Sequence, residues 1–348
     1  MEKTIPDISC VSLGMVILDD IQFPNKPTLT NVTGGSSSYV TLGNRLFAPH
    51  PAKVGCIILA GEDFPQAVEE ELRSWSITLI LKMQENVRSS RGLLEYEDNT
   101  FGPKKFRYTT TPIKILPTDL ASTPLLGAKA IHLFATPEEI LNQVPEILHL
   151  RKVHGILELP LLVWEPFPAS CNIENRHSFP DACKLVDVFS PNHLEVTAIF
   201  TNKRSDVFEQ SKLESYANEF LTSGVGPQGR GTIIIRAAEH GALTANLSTR
   251  ATWLPSYYKK DHEKIVDPTG AGNSFIGGYM AGWQSTGDVI KATCYGHVAA
   301  SFALEQIGLP KYGKEGSLEV WHGTSAEDRL KEYMARLEGA GVKSESFV

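Results

Sequence analysis

Along this chain, dense apolar runs of strand length alternate with longer stretches in which apolar residues recur at helical spacing. Residues 8–18 and 54–63 are rich in Val and Ile with few polar interruptions, the pattern of parallel strands covered on both faces. Between 64 and 75, Phe64, Val68, Leu72 and Trp75 share a helical face, and 77–81 is another short strand. From residue 128 onward the alternation is regular: strand 130–134, helix 137–151, strands 157–164, 186–190 and 232–235, then helix 288–304. Such alternation predicts an α/β fold, a doubly wound and mostly parallel sheet with helices on both faces. Residues 39–46 read as a helix leaving the small-residue turn at Gly34, Gly35 and Ser36. Residues 88–115 break the pattern. There 92–96 and 105–110 have period-two character about a polar tip at 97–103, which predicts a β-hairpin. At the far end Ser325, with Asp328 three residues on, caps a charged amphipathic helix running to 337. Residues 324–348 are read as a terminal helix and tail of a single domain spanning 1–348.

Composition narrows the function classes. A chain of 348 residues that is 42% hydrophobic can bury a sizeable core. Its net charge of -7 and the lack of any Lys/Arg block argue against nucleic acid as a partner. The five cysteines are scattered, without a C-x-x-C pair, which fits reduced thiols and a cytoplasmic location. The best early apolar run, 11–18, is too short to span a membrane, and no basic region leads into a signal-length core. Ten histidines show no metal-ligand spacing, and neither a P-loop nor a nucleophile elbow is present. Residues 224–229 formally satisfy G-x-G-x-x-G. They precede a strand and contain Pro227, so they are a loop and not a dinucleotide fingerprint.

The chemistry concentrates at 264–283. Asp267-Pro268-Thr269 leads into Gly270-Ala271-Gly272, and a helix opens there. Small residues at a helix start leave N–H groups bare, and the helix dipole adds to them, so the turn can hold an anion. Asn273 then places a polar side chain inside the helix's first turn.

D-P-T-G-A-G-N at 267–273 resembles the C-terminal signature of ribokinase-like (phosphofructokinase B) carbohydrate kinases. In that signature the N–H groups of Gly270, Ala271 and Gly272 form the anion hole for the transferred phosphoryl group. The next residue is normally the Asp that takes the acceptor's proton; here it is Asn273, which can orient a hydroxyl but cannot accept its proton. Other landmarks follow in family order. Gly14 and Asp19 resemble the first strand, where the Asp grips acceptor hydroxyls, and Gly34-Gly35 resembles the turn that brings backbone to the substrate. Asn192 and Glu195 match N-x-x-E, which by resemblance holds water around Mg²⁺ and touches nucleotide phosphates. An Asn cap followed by Glu is also an ordinary helix start. Residues 236–241 stand in place of the nucleotide turn: Gly241 is kept, while Arg236 replaces a hydroxyl residue, as a phosphate partner or as the mark of an eroded ATP site.

The resemblance implies further features. Thr269 would lie in the nucleotide-binding turn, and Asp267 would help hold a monovalent cation such as K⁺. A small β-lid from about 19–33 and 88–115 would cover the acceptor, with Arg88 and Arg91 facing it, and offer a homodimer contact. Tyr39 replaces an Asn that contacts sugar in many relatives, which points toward an aromatic or otherwise altered acceptor. Trp164-Glu165-Pro166, residues 190–193 and Asn273 together resemble the fungal maintenance-of-killer subgroup of the family. The implied activity is ATP- and Mg²⁺-dependent phosphoryl transfer to a hydroxyl of a small sugar or nucleoside-like alcohol. Loss of a general base typically costs ~10²- to 10⁴-fold, so the alternative is a catalytically weak or silent member that binds a ligand or a protein. A third reading is other chemistry on the same scaffold.

Overall fold

The computed structural model describes residues 7–99, 104–201, 207–249 and 251–340. The chain opens with β1 (Cys10–Ser12), then an antiparallel pair, β2 (Ile17–Phe23) and β3 (Lys26–Gly34), and helix α1 (Ser36–Arg45). β4 (Gly55–Ala60), α2 (Gln66–Ser74) and β5 (Thr78–Met83) form a β-α-β unit with parallel strands. The hairpin β6 (Arg91–Tyr96) and β7 (Lys104–Tyr108) follows. The central run is β8 (Ala130–Ala135), α3 (Pro137–Val153), β9 (Leu161–Pro166), α4 (Phe179–Cys183), β10 (Val188–Phe189), α5 (His193–Phe200), α6 (Gln210–Ser223) and β11 (Thr232–Arg236). Two antiparallel strands, β12 (Ala242–Ala245) and β13 (Thr252–Leu254), precede the long helices α7 (Ala271–Thr286) and α8 (Val289–Leu304). A hairpin, β14 (Tyr312–Glu315) and β15 (Leu318–Trp321), and α9 (Ala326–Gly339) complete the described chain.

The main sheet runs β1-β8-β9-β10-β11 in parallel and ends in antiparallel β12 and β13. A parallel bridge between Cys10 and Val54 joins the β4–β5 pair to its other side. Because strand side chains alternate, each strand feeds two cores. Val11, Ile131, Leu133, Leu162, Trp164, Ile233 and Ile235 pack with α3, α4 and α6 on one face. Cys10, Ala130, Val163, Val188 and Ile234 pack with α1, α7 and α8 on the other. Helices therefore cover both faces of a mostly parallel sheet, the doubly wound arrangement that the sequence pattern predicts. Helices α1 and α7 touch backbone to backbone: a Cβ on Gly43 would overlap the Ser274 carbonyl, and one on Gly277 the Val40 carbonyl. This contact fixes the start of α7 against α1.

The first strand departs from expectation. The largely apolar run 8–18 is not one strand. β1 ends at Ser12, the chain bends at Gly14, and Ile17 onward joins a separate sheet of order β3-β2-β6-β7. The second half also has a core to fill: Val16 and Leu18 pack with Tyr39, Leu42, Val298 and Phe302, and Ile21 and Phe23, further along the strand, pack with Leu94 and Tyr96 in the small sheet. Asp19 thus sits within a strand of the lid and not at the end of a core strand. The expected helix 39–46 begins earlier, at Ser36, directly on the glycine pair. The antiparallel extension β12–β13 and the β14–β15 hairpin have no counterpart in the sequence reading. The hairpin is tied down by Glu319, which receives Arg45 at 2.7 Å. No helix among the described residues is long and apolar enough to cross a membrane. All five cysteines are buried and none forms a disulfide.

Candidate active site

Gly270 adopts a left-handed backbone (φ 79°) as the N-cap of α7. A side chain there would strike the ring of Tyr39, so the turn can form only with glycine at this point. Residues Ala271 to Asn273 follow as the helix's first turn, their N–H groups without side-chain caps. Two cavities meet at this turn. The larger, about 980 Å³, runs along Arg236 to Gly241, 256–266 and the α8 residues His297, Ala300 and Leu304. The smaller, about 510 Å³, lies under the lid. They share Asn192, Arg236 and Gly272. The join lies beyond the C-terminal ends of the parallel strands, where open α/β sheets bind ligands.

Asp19, Gly35, Tyr39, Thr269, Gly270, Gly272 and Asn273 all line the smaller cavity. Asp19 is 5% exposed, and its Oδ1 has no hydrogen-bond partner. Burial pushes the carboxyl up to about 7, against the pull of Lys104. Gly34 and Gly92 flank it so closely that a Cβ on either would overlap the carboxylate. The rest of the wall is notably aromatic: Tyr39, Phe106, Tyr108, Phe134 and Phe167. Burial raises the Tyr39 hydroxyl well above its usual range, so the group stays protonated.

The junction is built by one diagonal row of polar side chains. Ser12, His132, Glu165 and Arg236 each lie two residues beyond an apolar residue of the α7-facing core, namely Cys10, Ala130, Val163 and Ile234. Period two therefore places all four on the same face: Ser12 closes β1, His132 lies within β8, Glu165 is next to last in β9, and Arg236 closes β11, with β10 between the last two strands. Ser12 Oγ accepts the Gly14 N–H at 2.9 Å and meets His132 Nδ1 at 2.8 Å. His132 Nε2 lies 3.2 Å from Glu165 Oε2. Arg236 Nη2 lies 2.9 Å from Glu165 Oε1 and donates to the Ser190 carbonyl at 2.9 Å. From α7, Asn273 Nδ2 donates to Glu165 Oε2 at 2.6 Å. Burial opposes ionisation of Glu165, but Arg236 and His132 outweigh it and hold the carboxyl below its ordinary range.

Arg236 also turns toward the anion turn, its Nη1 close to where a Gly272 Cβ would stand. Its guanidinium is 3.8 Å from Glu195. Asn192 and Glu195 cap α5 reciprocally: Asn192 Oδ1 accepts the Glu195 N–H at 2.8 Å, and Glu195 accepts the Asn192 N–H at 2.7 Å. The capping role and a place on the cavity wall coexist, because both residues also line the smaller cavity.

Asp267 is buried, with Oδ1 accepting from the Thr269 N–H (2.9 Å), the Thr269 hydroxyl (2.7 Å) and the Tyr96 hydroxyl (3.2 Å). Lys104, from the lid, stands 3.6 Å from the same oxygen and bonds to Thr269 Oγ1 and Tyr96. Burial lowers the Lys104 amine, and Asp267 and Asp19 pull it back up. The lid thus reaches the loop that leads into the anion turn.

Arg91 is placed differently from its expected position facing the acceptor. Its guanidinium goes to Asp63 at 2.7 Å and Asn31 at 2.8 Å, and it is not among the cavity-lining residues. Arg88 is exposed and pairs weakly with Asp63 at 3.4 Å. Gly241 (φ 91°) lines the larger cavity, at the end of the Arg236 turn. Sequence reasoning used Trp164-Glu165-Pro166 only as a likeness to a subgroup of the family and gave Glu165 no place in the site, and it missed His132, Ser12 and Lys104. The available signal was a carboxylate closing a parallel strand and a histidine inside the apolar run 130–134.

The parallel sheet, the lid and the two cavities meeting at the glycine turn that opens α7 define a ribokinase-like fold. The chain belongs to the pfkB family of carbohydrate kinases, whose family model matches residues 25–311. An uncharacterized protein of Schizosaccharomyces pombe is 31% identical over 99% of this chain and 98% of its own length. Protein MAK32 of Saccharomyces cerevisiae is 27% identical over 94% of this chain and 92% of its own. Among solved structures, a putative ribokinase II from Escherichia coli in complex with ATP and Mg²⁺ matches with a TM-score of 0.64. It is 16% identical, over 94% of this chain and 99% of that one.

Proposed function

We propose that the protein transfers the terminal phosphoryl group of ATP to a hydroxyl of a small alcohol, at the junction of the two cavities. The observation that carries this reading is the meeting of both cavities at Asn192, Arg236 and Gly272, beside the start of α7, which has no side-chain cap. ATP would lie in the larger cavity, along the 236–241 turn, with its phosphates toward Gly270, Ala271 and Gly272. Arg236 is a phosphate partner in this reading, since its Nη1 already points at that turn. Positioning and charge stabilisation account for most of phosphoryl-transfer catalysis.

The acceptor would lie under the lid, with Asp19 receiving its hydroxyls and Gly34 and Gly35 holding backbone close. The five aromatic rings favour an acceptor with a flat apolar part, a nucleoside-like alcohol over a free sugar. Glu195 suits a water-mediated role toward Mg²⁺, because it lines the junction and Mg²⁺ bound mainly by phosphates and water needs no protein cage. When bound, Mg²⁺ supplies neutralisation of phosphate charge. The side-chain donors at Asp267 do not fit a monovalent cation, because the Lys104 ammonium already serves that carboxylate. Turnover in K⁺ and in Na⁺ at equal ionic strength is therefore expected to agree within about twofold; a strong K⁺ requirement would refute this assignment. Membership of the maintenance-of-killer subgroup, a cytoplasmic location and a homodimer through the lid belong to the same proposal. Sedimentation of the purified chain tests the dimer.

The second reading is a silent ligand-binding member, favoured by Asn273 in the place of the family's base. ADP release and ATP–Mg²⁺ affinity, measured over a panel of alcohols for the wild type and Asn273→Asp, separate the two. No ATP binding in either protein would sink the kinase reading, and turnover gained only by the Asp variant would favour the silent one.

A further inference from the structure

Resting on the phosphoryl-transfer reading, we propose that Glu165 takes the acceptor's proton in place of the missing aspartate, held ready by His132 and Asn273. Asn273 stands where the family carries its base and is already engaged. Its amide nitrogen spends a hydrogen on Glu165 Oε2 at 2.6 Å, so the residue at the base position hands its place to a carboxylate from the neighbouring strand. Glu165 is 5% exposed, yet it lines the smaller cavity together with Asn273 and Asp19. It is thus a carboxylate shielded from bulk water but open to the acceptor.

The supporting row decides how Glu165 is oriented. The Gly14 N–H fills one lone pair of Ser12 Oγ, and the Ser12 hydroxyl hydrogen goes to His132 Nδ1. The imidazole proton then sits on Nε2, facing Glu165 Oε2. The opposite tautomer would set a bare ring nitrogen against a carboxylate. Arg236 fixes the other oxygen, Oε1, at 2.9 Å. A carboxylate offers about four lone-pair sites, so three protein contacts leave one for the acceptor hydroxyl. Ser12 and His132 act through Glu165 and are positioning residues.

The step balances without a further reactant. The acceptor oxygen forms a bond to the γ-phosphorus of ATP, and the β–γ bridging P–O bond breaks with its electron pair leaving on ADP. The acceptor O–H bond breaks, and its proton goes to a Glu165 oxygen. Product release returns that proton to water. Arg236, shared between Glu165 and the anion turn, keeps the proton acceptor and the phosphoryl site in one frame.

The test uses the full chain, with ATP–Mg²⁺ affinity by calorimetry and ADP release with an alcohol panel. The proteins are the wild type, Glu165→Gln, Asn273→Asp and the double variant. The expected result is a fall in kcat of ~10²- to 10⁴-fold in Glu165→Gln, with ATP affinity within threefold of wild type. The double variant should regain at least tenfold, because Asp at 273 restores a carboxylate where the family carries one. His132→Asn should lower kcat less than Glu165→Gln and shift the acid limb of the kcat–pH profile, which a purely structural role would not move. Glu165→Gln that keeps more than a third of wild-type kcat overturns the proposal. Parallel loss of ATP affinity and kcat, without recovery in the double variant, overturns it too. A wild type that binds ATP but turns over only after Asn273→Asp overturns this proposal while leaving the site a phosphoryl-binding one. A wild type that binds no ATP overturns the function proposed above as well.

Discussion

Two buried carboxylates line the same cavity and are treated in opposite ways. Asp19, in the lid, has an oxygen without a partner, and burial drives its carboxyl up to about 7. Glu165, at the sheet, receives Arg236, His132 and Asn273 and is held below the usual carboxylate range. A buried polar group left unsatisfied costs stability, so it persists where a ligand completes it. A fully satisfied one is rigid before anything binds. In the proposed reaction the lid is therefore the part of the site that an acceptor would complete, and the sheet end is the part already held in place.

The comparison breaks most severely at Arg236. Arg236→Met would leave Glu165 buried without its cation, with an expected loss of about 3–5 kcal/mol in unfolding free energy. Chemical denaturation would read this, and no loss would mean that Glu165 is not held as described. Asp19→Asn addresses the other half and should weaken acceptor binding by at least tenfold while sparing ATP affinity. It should also change the pH dependence of stability. A carboxyl raised in the folded state contributes stability that is present below about pH 4 and lost as pH rises through about 7. The wild type should therefore lose on the order of 4 kcal/mol across that window relative to Asp19→Asn, and parallel stability curves would disprove the unpartnered state. The smallest effect is expected at Arg91, whose guanidinium serves Asp63 and Asn31 outside the cavity. Arg91→Ala should cost about 1 kcal/mol or less and leave acceptor KM within twofold; a tenfold rise would place it in the acceptor site after all.

Legibility differed between the two halves in the same way. The glycine turn is local: Gly270 to Gly272 announce a helix start, and α7 does begin there with Gly270 as its N-cap. The Asn192–Glu195 pair was also legible, because a capping box is written in four consecutive residues. Arg91 was not, since its partners Asp63 and Asn31 are distant in sequence and nothing local tells an arginine facing a ligand from one crossing between strands. The run 8–18 misled for a related reason. Its apolar residues serve two cores, and the alternation does not say that the chain changes sheets at Gly14.

The sequence by itself determined the α/β alternation, the anion turn and the absence of a carboxylate at 273. All three are set by residue type and short-range spacing, which helical and strand periodicities translate directly into local structure. Only the tertiary structure decided what stands beside Asn273. Ser12, His132, Glu165 and Arg236 come from four separate parts of the chain, and strand order and register alone put them in contact. Register is set by the packing of whole strands against their helices, a long-range balance of buried surface that no short segment contains.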